Sequence, residues 1–181
     1  EEKQDYQKTY DGKGGTTPIS TTYFFYKKLS DGTTVRASGT TTDDTLLQTN
    51  LYRADKTSVT GVSDTGTGAN TLKTKTVFDA TSKQAGEEKQ DYSYNFAVDG
   101  TTYVNTTYFW YTGNKRASTA LATDALLQTN LYRGNRAAPS SQTDLTGNIQ
   151  AVTVFDATGK QVGEEKQDYQ KTYDGKGGTT P

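Results

Sequence analysis

The chain has no cysteine, no histidine and no methionine among its 181 residues. Without cysteine and histidine, it lacks the usual residues of catalytic triads, thiol nucleophiles, zinc sites and haem ligation. Because thiols and thioethers are both absent, oxidants have no sulfur to attack, which favours an exported protein. We therefore expect an extracellular or cell-surface protein that is not an enzyme and needs no cofactor.

The chain is also poor in apolar residues, and its positive and negative charges nearly balance. The apolar fraction is 30%, the mean hydropathy is −0.86, and 20 basic residues are interleaved with 21 acidic ones. No apolar run approaches the roughly 18 residues of a membrane span, and no basic patch predicts binding to nucleic acid. No secretory signal pattern occurs in this window, so we expect any such signal to lie outside it.

Tyrosine and threonine take the place of the missing aliphatic residues. There are 13 tyrosines, and in the segment 92–98 aromatic or apolar residues occupy every second position. This period of two, with β-branched and aromatic side chains, predicts strands with one buried face. Asp31-Gly32, Asp99-Gly100 and Gly113-Asn114 predict tight turns between such strands. The predicted fold class is all-β.

The chain repeats itself at its two ends. The first eighteen residues, Glu1–Pro18, recur unchanged as Glu164–Pro181, so equivalent residues are 163 positions apart. The first six of them, EEKQDY, occur a third time at Glu87–Tyr92. Repetition of this kind is typical of arrays of modules. The sequence predicts a first module at 1–86, a second at 87–163, and the start of a further repeat at 164–181.

Each predicted module contains five or six short strands with a turn about every 8 to 12 residues. That spacing favours a small β-sandwich of the Ig-like, Greek-key kind. A β-solenoid is the alternative, although its rungs would need an internal period of about 20 to 30 residues that the chain does not have.

One repeated segment has two interpretations. The sequence LLQTNLYR is identical at Leu46–Arg53 and Leu126–Arg133. Thr123 could cap a short helix with Gly134 just past its end, as start and stop signals suggest. As a strand, the same segment would place alternate residues on one face. Both alternatives stay open.

The EEKQDY copies could join neighbouring modules. The copy at Glu87 follows the turn at Val77–Thr81 after residues 82–86, which indicates a strand that begins at a turn. Segments 1–18 and 164–181 would then be the same strand at both ends of the window, and one could complete a sheet begun by a neighbouring repeat. Modules that simply start at EEKQDY are the alternative. Pairing of exposed edge strands into a filament is a third hypothesis.

Two sets of residues could carry a specific function. The first set could form intramolecular Lys–Asn amide crosslinks, or could be solvated lysines and hydrogen-bonded asparagines. Its members are Lys3, Lys89, Lys166, Asn50 and Asn130. The second set could stack on sugar rings as an exposed aromatic row, or could pack in a core or a module contact. Its members are Tyr23, Phe25, Tyr108 and Trp110.

Other motifs favour ordinary loops and turns. Asp79 and Asp156 recur in Phe-Asp-Ala-Thr, where aspartate bonds its own backbone. The segment 12–17 lacks phosphate-loop spacing, and 64–68 lacks the alternating acids of a calcium loop. Asn105 lies in an N-glycosylation sequon. None of these motifs predicts a metal or nucleotide site.

Threonine- and tyrosine-rich β modules, near-identical repeats and the absence of cysteine together resemble the tandem-repeat regions of bacterial surface fibres and adhesin stalks. The resemblance implies a structural segment of an extracellular fibre, stalk or filament, whose partners are neighbouring copies of the same repeat. A carbohydrate-binding adhesin module that uses exposed tyrosine and tryptophan is the alternative function.

Overall fold

A computed structural model describes residues 2–12, 14–54, 71–81, 83–160 and 162–174. The strands are β1 Tyr6–Tyr10, β2 Pro18–Lys27, β3 Thr34–Val35, β4 Thr45–Arg53, β5 Leu72–Asp79, β6 Lys89–Phe96, β7 Tyr103–Tyr111, β8 Leu126–Arg133, β9 Ile149–Asp156 and β10 Lys166–Thr172. In these ranges the only helix is one 3₁₀ turn, Ala37–Gly39, and none of them holds a helix long and apolar enough to cross a membrane. The all-β prediction is confirmed. The segment 64–68, considered above as a calcium loop, lies outside the described residues.

The strands form one open antiparallel sheet. Nine of them lie side by side in chain order, from β1 at one edge to β10 at the other, and β3 forms a short hairpin with β2. This meander differs from the two packed sheets of a sandwich and from the rungs of a solenoid, so the predicted pair of β-sandwich modules is not confirmed. Alternation within a strand predicts two unlike faces, but it does not say whether a second sheet or a loop covers the buried one.

The repeat is visible in the order of the strands. The EEKQDY copies lead into or form β1, β6 and β10, while β2, β4 and β5 correspond to β7, β8 and β9. The sheet therefore has the same strand at both edges and once more in its interior. Strand β6 is paired on both sides, with β5 and with β7.

The predicted turns form where the sequence places them. Asp31-Gly32 closes the β2–β3 hairpin, and Gly32 has a φ of 73° that favours glycine. Gly113 and Asn114 both have positive φ, and Tyr111 exchanges two backbone hydrogen bonds with Lys115, which closes a three-residue turn at 112–114. The carboxylates of Asp79 and Asp156 accept backbone hydrogen bonds two residues further on, as predicted.

The LLQTNLYR segments are strands, β4 and β8. Each pairs on both sides, and these backbone ladders override the weak helix signals. The residues that could have started a helix instead form a turn, because Leu121 donates its backbone N–H to the Asp124 carboxylate at 2.7 Å.

The core lies on one face of the sheet and is unusually polar. Alternate residues of β8 point into it, and Gln128, Asn130 and Tyr132 form a hydrogen-bonded row along the strand. The segment 134–148 covers part of this face, since Leu145 packs on the apolar cluster and Tyr132 donates to the Asp144 carbonyl at 2.6 Å. Such satisfied polar rows explain how a chain with few aliphatic residues builds a core.

Candidate functional site

The interior copy of EEKQDY contacts the second repeat through several backbone oxygens. Lys89 Nζ donates to the carbonyls of Ala122 and Asp124, each at 2.9 Å. The hydroxyl of Tyr111 donates to the Gln90 carbonyl at 2.8 Å. These bonds attach the start of β6 to the end of β7 and to the connection between β7 and β8 in the second repeat.

An ion pair lies beside these hydrogen bonds. Asp91 Oδ1 is 2.6 Å from Arg116 Nη2, and both side chains are mostly buried. The Arg116 guanidinium lies 4.6 Å from the centre of the Tyr108 ring, and Tyr92 packs on the same ring. Because the cation contacts both a carboxylate and an aromatic face, the geometry of the pair is well defined.

The same strand also contacts the first repeat. Glu88 Oε1 accepts the backbone N–H of Leu46 at 2.7 Å, at the start of β4. Just before it in the chain, Lys83 donates to the Ala120 carbonyl, which again crosses from one repeat to the other. The EEKQDY strand therefore bridges the two repeats through side chains as well as through its two backbone ladders.

The first copy, at the β1 edge, makes only the kind of contacts that β6 makes with the repeat that follows it. Lys3 Nζ donates to the Asp44 carbonyl at 2.8 Å, and Tyr26 donates to the Gln4 carbonyl at 2.7 Å. Asp5 lies 2.8 Å from Arg36, which stacks over the Tyr23 ring at 4.2 Å. In the described part of the chain, the Glu2 carboxylate has no hydrogen-bond partner.

The last copy, at the β10 edge, makes only the kind of contacts that β6 makes with the repeat that precedes it. Glu165 Oε1 accepts the backbone N–H of Leu126 at 2.7 Å, which matches the bond between Glu88 and Leu46. Within the described ranges, neither Lys166 nor Asp168 has a hydrogen-bond or ion-pair partner for its side chain. The contacts of β1 and β10 together reproduce those of β6.

The environment changes the acidity of the bridging groups. Lys89 is only 7% exposed, and this burial lowers the pKa of its amine, although nearby carboxylates oppose the shift. Hydrogen bonds from the backbone N–H groups of Leu29 and Thr41 lower the pKa of Asp44. Partial burial opposes ionisation of Glu165, but backbone hydrogen bonds, including that of Leu126, lower its pKa. The carboxylates are therefore held in their charged, hydrogen-bonding form.

The aromatic residues predicted to contact glycans or modules are in the core. Tyr23, Phe25, Tyr108 and Trp110 are each 2 to 3% exposed. They do not form an exposed row, because the alternation that sets them on one face also turns that face towards the covering loops. The four side chains instead pack in the core, which was the alternative interpretation, and Arg36 and Arg116 lie over rings of this set.

The residues considered for amide crosslinks have other contacts. Lys3 and Lys89 donate to main-chain carbonyls, and Lys166 is exposed. Asn130 is fully buried, where it bonds Gln128, Tyr132 and the Gln142 carbonyl. Asn50 bonds its own strand in the same way through Gln48 and Tyr52. Lys3 and Lys89 therefore contact main-chain carbonyls and the two asparagines lie in the polar core, while the crosslinks stay a prediction.

A shallow groove brings aromatic rings to the surface near the middle of the sheet. Tyr92 and Tyr94 lie in it with ring centres 5.1 Å apart, beside Arg116, Asn135 and Arg136. In the terminal copies of this strand the residue equivalent to Tyr94 is a lysine, Lys8 or Lys171. The groove therefore has a tyrosine pair that the edge strands do not reproduce.

Sequence reasoning missed the residues that make the bridge. It did not assign a role to Glu88, Asp91, Glu165, Arg36 or Arg116. Their recurrence at equivalent positions was the available signal, since Arg36 and Arg116 open the same Arg-Ala-Ser segment. What was missing was the knowledge of which strands are neighbours.

Among the residues that the structure describes, no group of three or more acidic residues could hold a metal ion. No protein-family model matches the chain, and no curated protein and no solved structure is significantly similar to it.

Proposed function

We propose that the chain is a structural segment of a tandem array in an extracellular fibre, stalk or filament. In this role it acts as a spacer, and each EEKQDY strand is shared by two successive modules, 1–86 and 87–163 in this window. The observation that carries the proposal is the position of β6, which is paired on both sides and bonds both repeats through Glu88 and Lys89. Strand β10 would belong in the same way to the preceding sheet and to a following repeat.

A shared strand favours a continuous sheet over a string of separate beads. Separate domains connect through flexible linkers with few contacts across them. Here the junction is a strand with a backbone ladder on each side, so bending at the junction would break hydrogen bonds. The absence of thiols and thioethers from the sequence supports an oxidising, extracellular setting.

The test is the length of chains that contain one, two and three of the 163-residue periods. Each period adds eight strands to the sheet order, and a spacing of about 4.8 Å between strands extends the sheet by about 38 Å per period. Electron microscopy and small-angle scattering should give rods whose length grows by about this step. Beads with variable separation, or a compact particle whose length does not grow, would contradict the proposal.

A matched control uses the junction strand itself. In a two-period chain, Lys166 and Asp168 of the third EEKQDY copy lie at the junction, and replacing both by alanine removes side chains that would dock the next repeat. The rod should then bend at that junction, while the same two replacements in the single-period chain should leave its dimensions unchanged.

Carbohydrate binding is the second candidate function, and the groove at Tyr92 and Tyr94 favours it. A paired aromatic surface next to Arg116 offers both stacking and hydrogen bonding to a sugar. A glycan array probed with the chain and its Tyr94→Ala variant tests it. A spacer alone predicts no binding by either protein.

A further inference from the structure

We infer that separate copies of this chain join head to tail by strand exchange, in which β10 of one copy takes the place of β1 on β2 of a second copy. The partner is thus another copy of the same chain. This inference rests on the proposed function, which concerns repeats within one chain, and extends it to a non-covalent joint between chains.

The place that β1 occupies is defined by four kinds of contact. Lys3 reaches the Asp44 carbonyl, the Gln4 carbonyl accepts from Tyr26, Asp5 pairs with Arg36, and Tyr6 packs on Tyr23. Strand β10 carries the same groups in the same order. They are Lys166, Gln167, Asp168 and Tyr169.

These groups of β10 are available in the single chain. The whole of β10 is exposed, and only its β9 side is paired. In the described part of the chain, the side chains of Lys166 and Asp168 make no hydrogen bond or ion pair, whereas in β6 the equivalent Lys89 donates to two carbonyls and Asp91 pairs with Arg116. The free edge of β10 therefore has the backbone and side-chain groups that β6 uses to hold β7.

The joint would reproduce an arrangement that the chain already contains. Strand β6 lies antiparallel to β5 on one side and to β7 on the other. With β10 between β9 of its own copy and β2 of the next, both pairings are again antiparallel. The joined sheet has the β5–β6–β7 geometry at its seam, and one exposed edge strand is removed from each copy.

Strand β1 is suited to leave its position. It has five residues, pairs on one side only, and most of its side chains are exposed. Because residues 1–18 and 164–181 are identical, β2 gains the same contacts from either strand. Exchange of an identical element between copies is a low-cost route to association, and concentration then decides its extent.

A crosslinking experiment tests the exchange, since the chain has no cysteine of its own. Gln7 lies opposite Thr22 in the β1–β2 register, and Gln170 is the equivalent of Gln7. Full-length chains carrying Gln170→Cys are mixed with full-length chains carrying Thr22→Cys and oxidised. We expect a disulfide-linked pair of the two chains whose yield rises with concentration.

The matched control is Thr107→Cys. Thr107 corresponds to Thr22 in the repeat, but it faces Ser93 of the interior strand β6, which cannot leave. A Gln7→Cys, Thr22→Cys chain should form the bond within itself, which verifies the geometry. Equal crosslinking of Gln170→Cys to Thr22→Cys and to Thr107→Cys would overturn the inference.

Charge-reversal variants change the competition between β1 and β10 for pairing with β2, and they leave the cysteine positions unchanged. Asp5→Lys in the Thr22→Cys chain places a cation against Arg36 and loosens β1 only, so the mixed disulfide should increase about two- to fivefold, the effect of losing a partly exposed ion pair. Asp168→Lys in the Gln170→Cys chain should reduce it. No mixed disulfide at any concentration, even with Asp5→Lys, would sink the exchange and leave the rod-length test of the covalent array untouched.

Discussion

Replacing Asp91 by alanine should destabilise the chain far more than the same replacement of Asp168, although both residues lie in the sequence EEKQDY. Asp91 is 2.6 Å from Arg116 in a hydrogen-bonded ion pair whose side chains are 26% and 17% exposed. A hydrogen bond between charged groups contributes about 1.5 to 3 kcal/mol. Partial exposure places the loss near the middle of that range, at about 2 kcal/mol.

The other two copies provide an internal scale. In the first copy, Asp5 is 42% exposed and its ion pair with Arg36 lacks hydrogen-bond geometry, so Asp5→Ala should cost about 0 to 1 kcal/mol. Asp168 has no partner within the described residues, and its replacement should change stability by less than about 0.5 kcal/mol. The expected order of destabilisation is Asp91, then Asp5, then Asp168.

Thermal unfolding followed by circular dichroism measures the series, with urea unfolding as a second measure. For a chain of this size, about 2 kcal/mol lowers the melting temperature by roughly 4 to 8 °C. In an Arg116→Ala background, Asp91→Ala should lose most of its effect, as a double-mutant cycle requires. Equal shifts for Asp91→Ala and Asp168→Ala in dilute solution would refute the assignment of β6 as the strand that bridges the repeats.

Two further predictions concern the tyrosines of the core. Burial raises the pKa of Tyr108 from 10.0 to about 12, so its contribution to stability is complete below pH 10 and is lost as the pH rises towards 12. The free energy of unfolding should therefore fall between pH 10 and pH 12, and it should fall less steeply in Tyr108→Phe. A free energy of unfolding that does not change over this interval would contradict the prediction. Tyr132→Phe removes the donor to the Asp144 carbonyl and should cost about 1 to 2 kcal/mol in urea unfolding. Tyr169→Phe, at a side chain 46% exposed, should change it by less than about 0.5 kcal/mol, and equal effects would argue against the buried bond.

The candidate site could be predicted only in part. The three EEKQDY copies and their strand character could be read from the sequence, while the sharing of one strand by two modules stays a prediction. The partners of Asp91 and Glu88 were not readable, because Arg116 and Leu46 lie far away in the chain and contact the strand only after the sheet has formed. For Tyr23, Phe25, Tyr108 and Trp110, alternation indicated that residues of one strand share a face of the sheet, but it did not indicate whether that face is buried.

The sequence by itself determined the repeat, the all-β class, the strand period and the turns at Asp31-Gly32 and Gly113-Asn114. These features depend on residues next to one another, since side-chain alternation and positive φ are local properties. The tertiary structure alone decided that LLQTNLYR is a strand, that one open sheet forms, and that the segment 134–148 covers part of its core. It also decided the roles of the identical ends, because the same residues have different partners at an edge and in the interior of the sheet.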